Sequence, residues 1–169
     1  MNRLNILSIA GAAFGFALLP VSALAQHSLK EQLIGTWTLI SLENVAPDGA
    51  KRYLYGPTPK GILILNPSGR YVQVFVNPDR SEFKSGNRNT GTSEEIKKAW
   101  DGTQAHFGIW SVSDADKVVT FRPEGHMYQG DVGRDQKRVV SSLTSDELKF
   151  TNPGTAAGGR NEIVFRRDK

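Results

Sequence analysis

The chain has 169 residues, of which 38% are hydrophobic and 22% charged, with a formal net charge of +4 and no cysteine. That length fits one domain on the usual scale of about 100–200 residues, and the missing thiols exclude disulfides, cysteine nucleophiles and thiolate metal sites. The basic residues are scattered rather than gathered into a stripe with interleaved aromatics, which argues against nucleic acid as a partner.

Arg3 leads into an apolar stretch from Ile6 to Leu19, followed by Pro20 and the small-x-small pattern Ala23-Leu24-Ala25. This reads as a secretory signal over residues 1–25, cut after Ala25, because its apolar core is too short to span a bilayer. Residues 26–169 then form a single exported domain, periplasmic or secreted, with no later run of spanning length. No cysteine follows the cut, so a lipid anchor is not expected.

Beyond the signal the apolar residues recur mostly with period 2, the spacing of strands. The first run is Ile34–Asn44. Gly61–Leu65 and Arg70–Val76 flank Asn66-Pro67-Ser68-Gly69 as a hairpin. In its second arm Tyr71, Gln73 and Phe75 share one face, and Val72, Val74 and Val76 the other. Asn77–Gly91 is polar and Gly-rich, and predicts a mobile surface loop. Thr92-Ser93-Glu94-Glu95 then fits a capping box, and Ile96, Ala99 and Trp100 give one narrow apolar face, predicting a short helix docked by Trp100 and ended by Gly102. Strands resume at Gln104–Ser113, Lys117–Glu124, Asp135–Thr144, Glu147–Asn152 and Arg160–Arg167. About eight short strands with hairpin-length connections predict an all-β, antiparallel up-and-down barrel with one short helix.

The Gly35-Thr36-Trp37 triplet fits the closed end of such a barrel. Gly35 permits a close backbone approach, and Trp37 can lie across the floor and bury a large apolar surface. The last strand closes beside the first and carries Arg166 and Arg167, either of which can stack a guanidinium on the indole for about 0.5–2 kcal/mol. Together "LIGTWTLIS", "YGPTPKGILILNPSGRYVQVFVNPDR", "EEIKKAWDGTQAHFGIWSV", "GDVGRDQKR" and the terminal "FRR" resemble the lipocalin-like domain family of bacteria and fungi, a calycin-type barrel. The resemblance implies an interior able to hold a ligand, and supplies no substrate.

No Gly-x-Ser-x-Gly elbow is present, and Glu94-Glu95 is explained as charge favouring a helix N-terminus. No catalytic, metal or cofactor site follows from the sequence. The expected ligand-binding residues are Tyr71, Gln73, Phe75, His106, Trp110, Tyr128 and Arg138. His106 and Trp110 line the cavity if their strand face, rather than that of Phe107 and Ile109, points inward. An inward Arg138 needs a partner, which is either a glutamate or an anionic ligand. The expected role is binding a small, partly apolar molecule, as a monomer or dimer. Two other readings stand beside it: an isomerase or cyclase using His106, Tyr128 or Arg138, and a protein-binding envelope factor. A narrow barrel filled entirely by its own side chains is the alternative to a cavity.

Overall fold

The computed structural model describes residues 27–80, 82–155 and 158–169, so the predicted signal over 1–25 lies outside the described residues. The period-2 runs become β1 (Gly35–Val45), β3 (Lys60–Leu65), β4 (Arg70–Val76), β5 (Thr103–Ser113), β6 (Val118–His126), β7 (Gln136–Leu143), β8 (Glu147–Asn152) and β9 (Arg160–Arg167), with the two-residue β2 (Lys51–Arg52) appended to β1. All neighbours are antiparallel, and β1 pairs with both β3 and β9, so the sheet closes on itself. Closure removes the open edges a flat sheet would leave. The chain is therefore the all-β, up-and-down barrel that its alternation predicts.

Along β1 the inward positions are Trp37 and Leu39, then Leu42 and Asn44. A bulge between Leu39 and Ser41, where β1 meets β9, shifts the alternation by one residue. Without it Ser41 and Glu43 would face the core. Opposite them Phe165 and Ile163 point inward from β9. On β5 the inward set is His106, Gly108 and Trp110, whereas Phe107 and Ile109 face solvent. Gly108 is required there because a Cβ would lie 2.2 Å from the Arg122 carbonyl oxygen, beside the bulge that joins β5 to β6.

The two ends of the barrel differ. At the floor, Trp37, Leu63 and Leu65 are fully buried, and a one-turn helix α1 (Leu29–Leu33) lies against the core through Leu33. Its capping box, Ser28 with Glu31, fixes its start. Above the floor a row of aromatic rings crosses the interior: Tyr71–Phe121 at 4.7 Å, Phe121–Phe150 at 6.3 Å, Phe150–Phe165 at 6.0 Å and Phe165–Phe75 at 5.9 Å between centroids. Spacings of this kind each add a little beyond the area buried. Every strand has one end at this floor and the other at the open rim.

The second helix, α2 (Ser93–Asp101), starts with the predicted capping box of Thr92 and Glu95. Its apolar face is not docked as the sequence suggests. Trp100 is 50% exposed and Ile96 51%. The helix hangs from the β4–β5 connection by polar contacts instead: the Asn77 amide donates to the Gly102 carbonyl over 2.8 Å, and Arg80 donates to the Asn77 carbonyl and to Thr103 Oγ1. Amphipathic spacing on so short a helix therefore does not identify a buried face.

Candidate functional site

The floor is sealed as the Gly-Thr-Trp reading expects, and the sealing arginine is Arg167. Its guanidinium carbon stands 4.0 Å from the centroid of the Trp37 ring. The same group donates to the carbonyl oxygens of Ile34 and Ser145, at 2.8 and 2.7 Å, while Trp37 Nε1 donates to the Leu33 carbonyl over 2.9 Å. Arg166 is exposed, opposite Thr38 in register. Gly35 has φ of +139° and a Cβ there would lie 2.9 Å from an Arg167 guanidinium nitrogen. The small residue is what lets the arginine reach across the indole.

The rim is open. A cleft of about 550 Å³ enters the barrel between the ends of β1, β4, β7 and β9, within the range of about 300–1,000 Å³ typical of small-molecule sites. Its lining includes the apolar Leu42, Phe75 and Ile163 and the polar Gln73, Asn161 and Arg138. The interior is thus packed at the floor, and a cleft open to solvent enters it from the rim.

Of the seven residues expected to meet a ligand, Gln73, Phe75 and Arg138 line this cleft. Tyr71 and His106 form the layer behind it. The Tyr71 hydroxyl is 2.8 Å from His106 Nδ1, and the Gln73 amide nitrogen is 2.7 Å from His106 Nε2. With Gln73 donating to Nε2, the imidazole carries its proton on Nδ1 and donates to Tyr71. Burial, then the neighbouring His126 and Arg138, lowers His106 from its ordinary 6.5 to about 3. Burial likewise raises the Tyr71 phenol well above its ordinary value. Trp110 and Tyr128 lie elsewhere. Trp110 sits near the floor, its Nε1 donating to the Asn66 carbonyl over 3.0 Å and its ring facing Lys30 of α1. Tyr128 is 60% exposed, after β6 has ended. His106, Tyr128 and Arg138 therefore do not converge as an acid–base set, since Tyr128 stands apart and both nitrogens of His106 are occupied.

Arg138 is 8% exposed. Its guanidinium donates to the Lys137 carbonyl over 2.9 Å and to Gln136 Oε1 over 3.1 Å, both neutral acceptors. Among the described residues no carboxylate pairs with it. Burial lowers its pKa from 12.5 to about 10, an effect opposed by Tyr71 and Asp131, so it stays charged at neutral pH.

Sequence reasoning left His126 out of the expected binding residues, although its ring stacks on His106 with centroids 4.9 Å apart and 22° between planes. The Tyr128 amide donates to His126 Nδ1 over 2.9 Å. That leaves the ring proton on Nε2, which is buried with no hydrogen-bond partner and lies 3.7 Å from Asp131 Oδ2. The loop-like "PEGHMY" hid this, because β6 continues to His126, in register with His106. Leu42, Asn161 and Ile163 were also missed. The β1 bulge hides the inward position of Leu42, and Asn161 and Ile163 show no signal beyond alternation.

The sequence matches the lipocalin-like domain over residues 34–162. No curated protein matches. Among solved structures, the chain is similar to a lipocalin-like protein from Bacteroides uniformis ATCC 8492, at 14% identity over 81% of this chain and 99% of that one, with a TM-score of 0.44. It is also similar to a de novo designed fluorescence-activating β-barrel, at 14% identity over 85% of this chain and 100% of the design, with a TM-score of 0.43.

Proposed function

The chain belongs to the lipocalin-like domain family, and from that premise we propose that it is an exported binding protein that holds one small, partly apolar molecule in the upper half of its barrel. The observation that carries this reading is the cleft above the aromatic row, whose lining mixes Leu42, Phe75 and Ile163 with Gln73, Asn161 and Arg138. Binding sites of this kind are mostly apolar with a few placed polar groups. Affinity comes from burial against Leu42, Phe75 and Ile163, and orientation from the polar side, where Arg138 accommodates an anionic end. The Asn77–Gly91 segment and α2, suspended beside the rim, gate the entrance. The signal pattern over residues 1–25 supports work in the periplasm or outside the cell, as a monomer or dimer.

The test is a neutral apolar fluorophore, N-phenyl-1-naphthylamine, titrated into the protein. Emission should rise and saturate near one equivalent. Ile163→Phe, which fills the cleft from β9, should weaken binding at least tenfold without lowering the melting temperature by more than a few degrees. Emission that does not rise, or that Ile163→Phe leaves unchanged, argues against an interior site.

A second reading, a barrel wall that docks another protein, is favoured by one observation. Ile64, Val72 and Phe107 stand side by side in register on the outer face of β3, β4 and β5, and all three are exposed, as is Ile109 nearby. Apolar patches outside a binding mouth of this kind often mark contact surfaces.

A further inference from the structure

The ligand's chemical class follows from the charges that the barrel leaves unanswered. A buried cation is costly unless paired, and buried arginines are ordinarily matched to a carboxylate or phosphate. Arg138 is matched to neither. Its two protein acceptors are uncharged, and three of its five N–H groups have no acceptor among the described residues. Arg138 itself lines the cleft.

The lining also carries Asp131, Arg134, Asp135 and Lys137; Asp135 lies 3.6 Å from Arg122 and Asp131 3.7 Å from His126 Nε2, and neither is a salt-bridge partner of Arg138. His106 behind Gln73 is neutral in any ordinary buffer. The Arg138 guanidinium, with no carboxylate in salt-bridge reach among the described residues, thus shares the cleft with Leu42, Phe75 and Ile163.

From this we infer that the natural ligand is a small monoanion, a single carboxylate on a compact apolar body, whose two oxygens take the free edge of the Arg138 guanidinium. This rests on the interior-binding reading above and narrows it. The guanidinium fork suits a planar carboxylate with two parallel N–H···O bonds. A dianionic phosphate would bring a second charge into a cleft that Asp131 and Asp135 also line. A neutral ligand would leave the guanidinium as it is now.

The experiment uses the full chain loaded with N-phenyl-1-naphthylamine, displaced in turn by octanoate, 1-octanol and octyl phosphate at neutral pH. Octanoate should displace the dye at a concentration at least tenfold below that of octanol, and below that of octyl phosphate. Arg138→Gln should bring octanoate and octanol within about twofold of each other while dye binding persists, and Arg138→Lys should keep part of the preference. If octanol matches octanoate in the unmodified protein, the anion is overturned and the interior site stands. If octyl phosphate displaces best, the monoanion is overturned. If the dye never binds, the interior site itself falls. The comparison of the three probes on the unmodified protein decides the matter even if the Arg138 variants fold poorly.

Discussion

At the scale of single residues, two side chains carry most of what the sequence promised and withheld. Trp37 is fully buried, hydrogen-bonded to the Leu33 carbonyl and roofed by Arg167. Trp37→Ala should cost about 3–5 kcal/mol, as large-to-small changes at such sites do, read as a lowered urea midpoint with an unchanged slope. Gly35, Trp37 and the closing arginine were legible because their types are rare and their roles narrow. The interior polar cluster was legible only in part. His106 in the sequence gives no hint that its ring nitrogens meet Tyr71 and Gln73, since each contact crosses between β4 and β5. Its pH behaviour follows from that burial. The unfolded chain takes up a proton near 6.5, whereas the folded chain does not until about 3. Stability is therefore complete above 6.5 and falls as pH drops through that window, by up to about 1.4 kcal/mol per pH unit. His106→Gln should flatten the loss of unfolding free energy between pH 7 and pH 4. Parallel curves for the two proteins would contradict this assignment.

At the scale of elements, the strands and the extent of α2 were readable, and the packing of the helices was not. β4, β8 and β9 run where alternation puts them, because a two-faced strand in a closed barrel has one wet and one dry side. The helix that does pack, α1, was not expected from the sequence; its Ser28–Glu31 capping box starts it and Leu33 docks it. The apolar triad of α2 marks one that does not. Trp100→Ser should therefore change stability by no more than about 0.5 kcal/mol, the range for exposed positions, measured by the same urea titration. A large loss would mean that α2 is folded against the barrel in solution. The β1 bulge shows why alternation fails locally: one extra residue at Ile40 exchanges the two faces for the rest of the strand.

At the scale of the whole molecule, one barrel does two jobs at its two ends. The floor and the aromatic row make up most of the buried apolar cluster, which continues up to Leu42 and Ile163 at the cleft. A buried arginine without a counter-charge and a buried His126 nitrogen without an acceptor are both found in the upper half. Unsatisfied groups of this kind are rare in native interiors, and their grouping on one side of the aromatic row separates the part of the barrel that holds it together from the part proposed to bind.

The clasp at the floor has a practical corollary. β9 leaves the mouth at Asn161 and finishes beside Trp37, with the Asp168 amide bonded to the Thr36 carbonyl at 2.9 Å. Anything fused after Lys169 would emerge at the sealed pole, facing away from the entrance. A surface-immobilised version anchored there would present its mouth to the flowing sample, whereas removing the final three residues would take Arg167 with them and loosen the base.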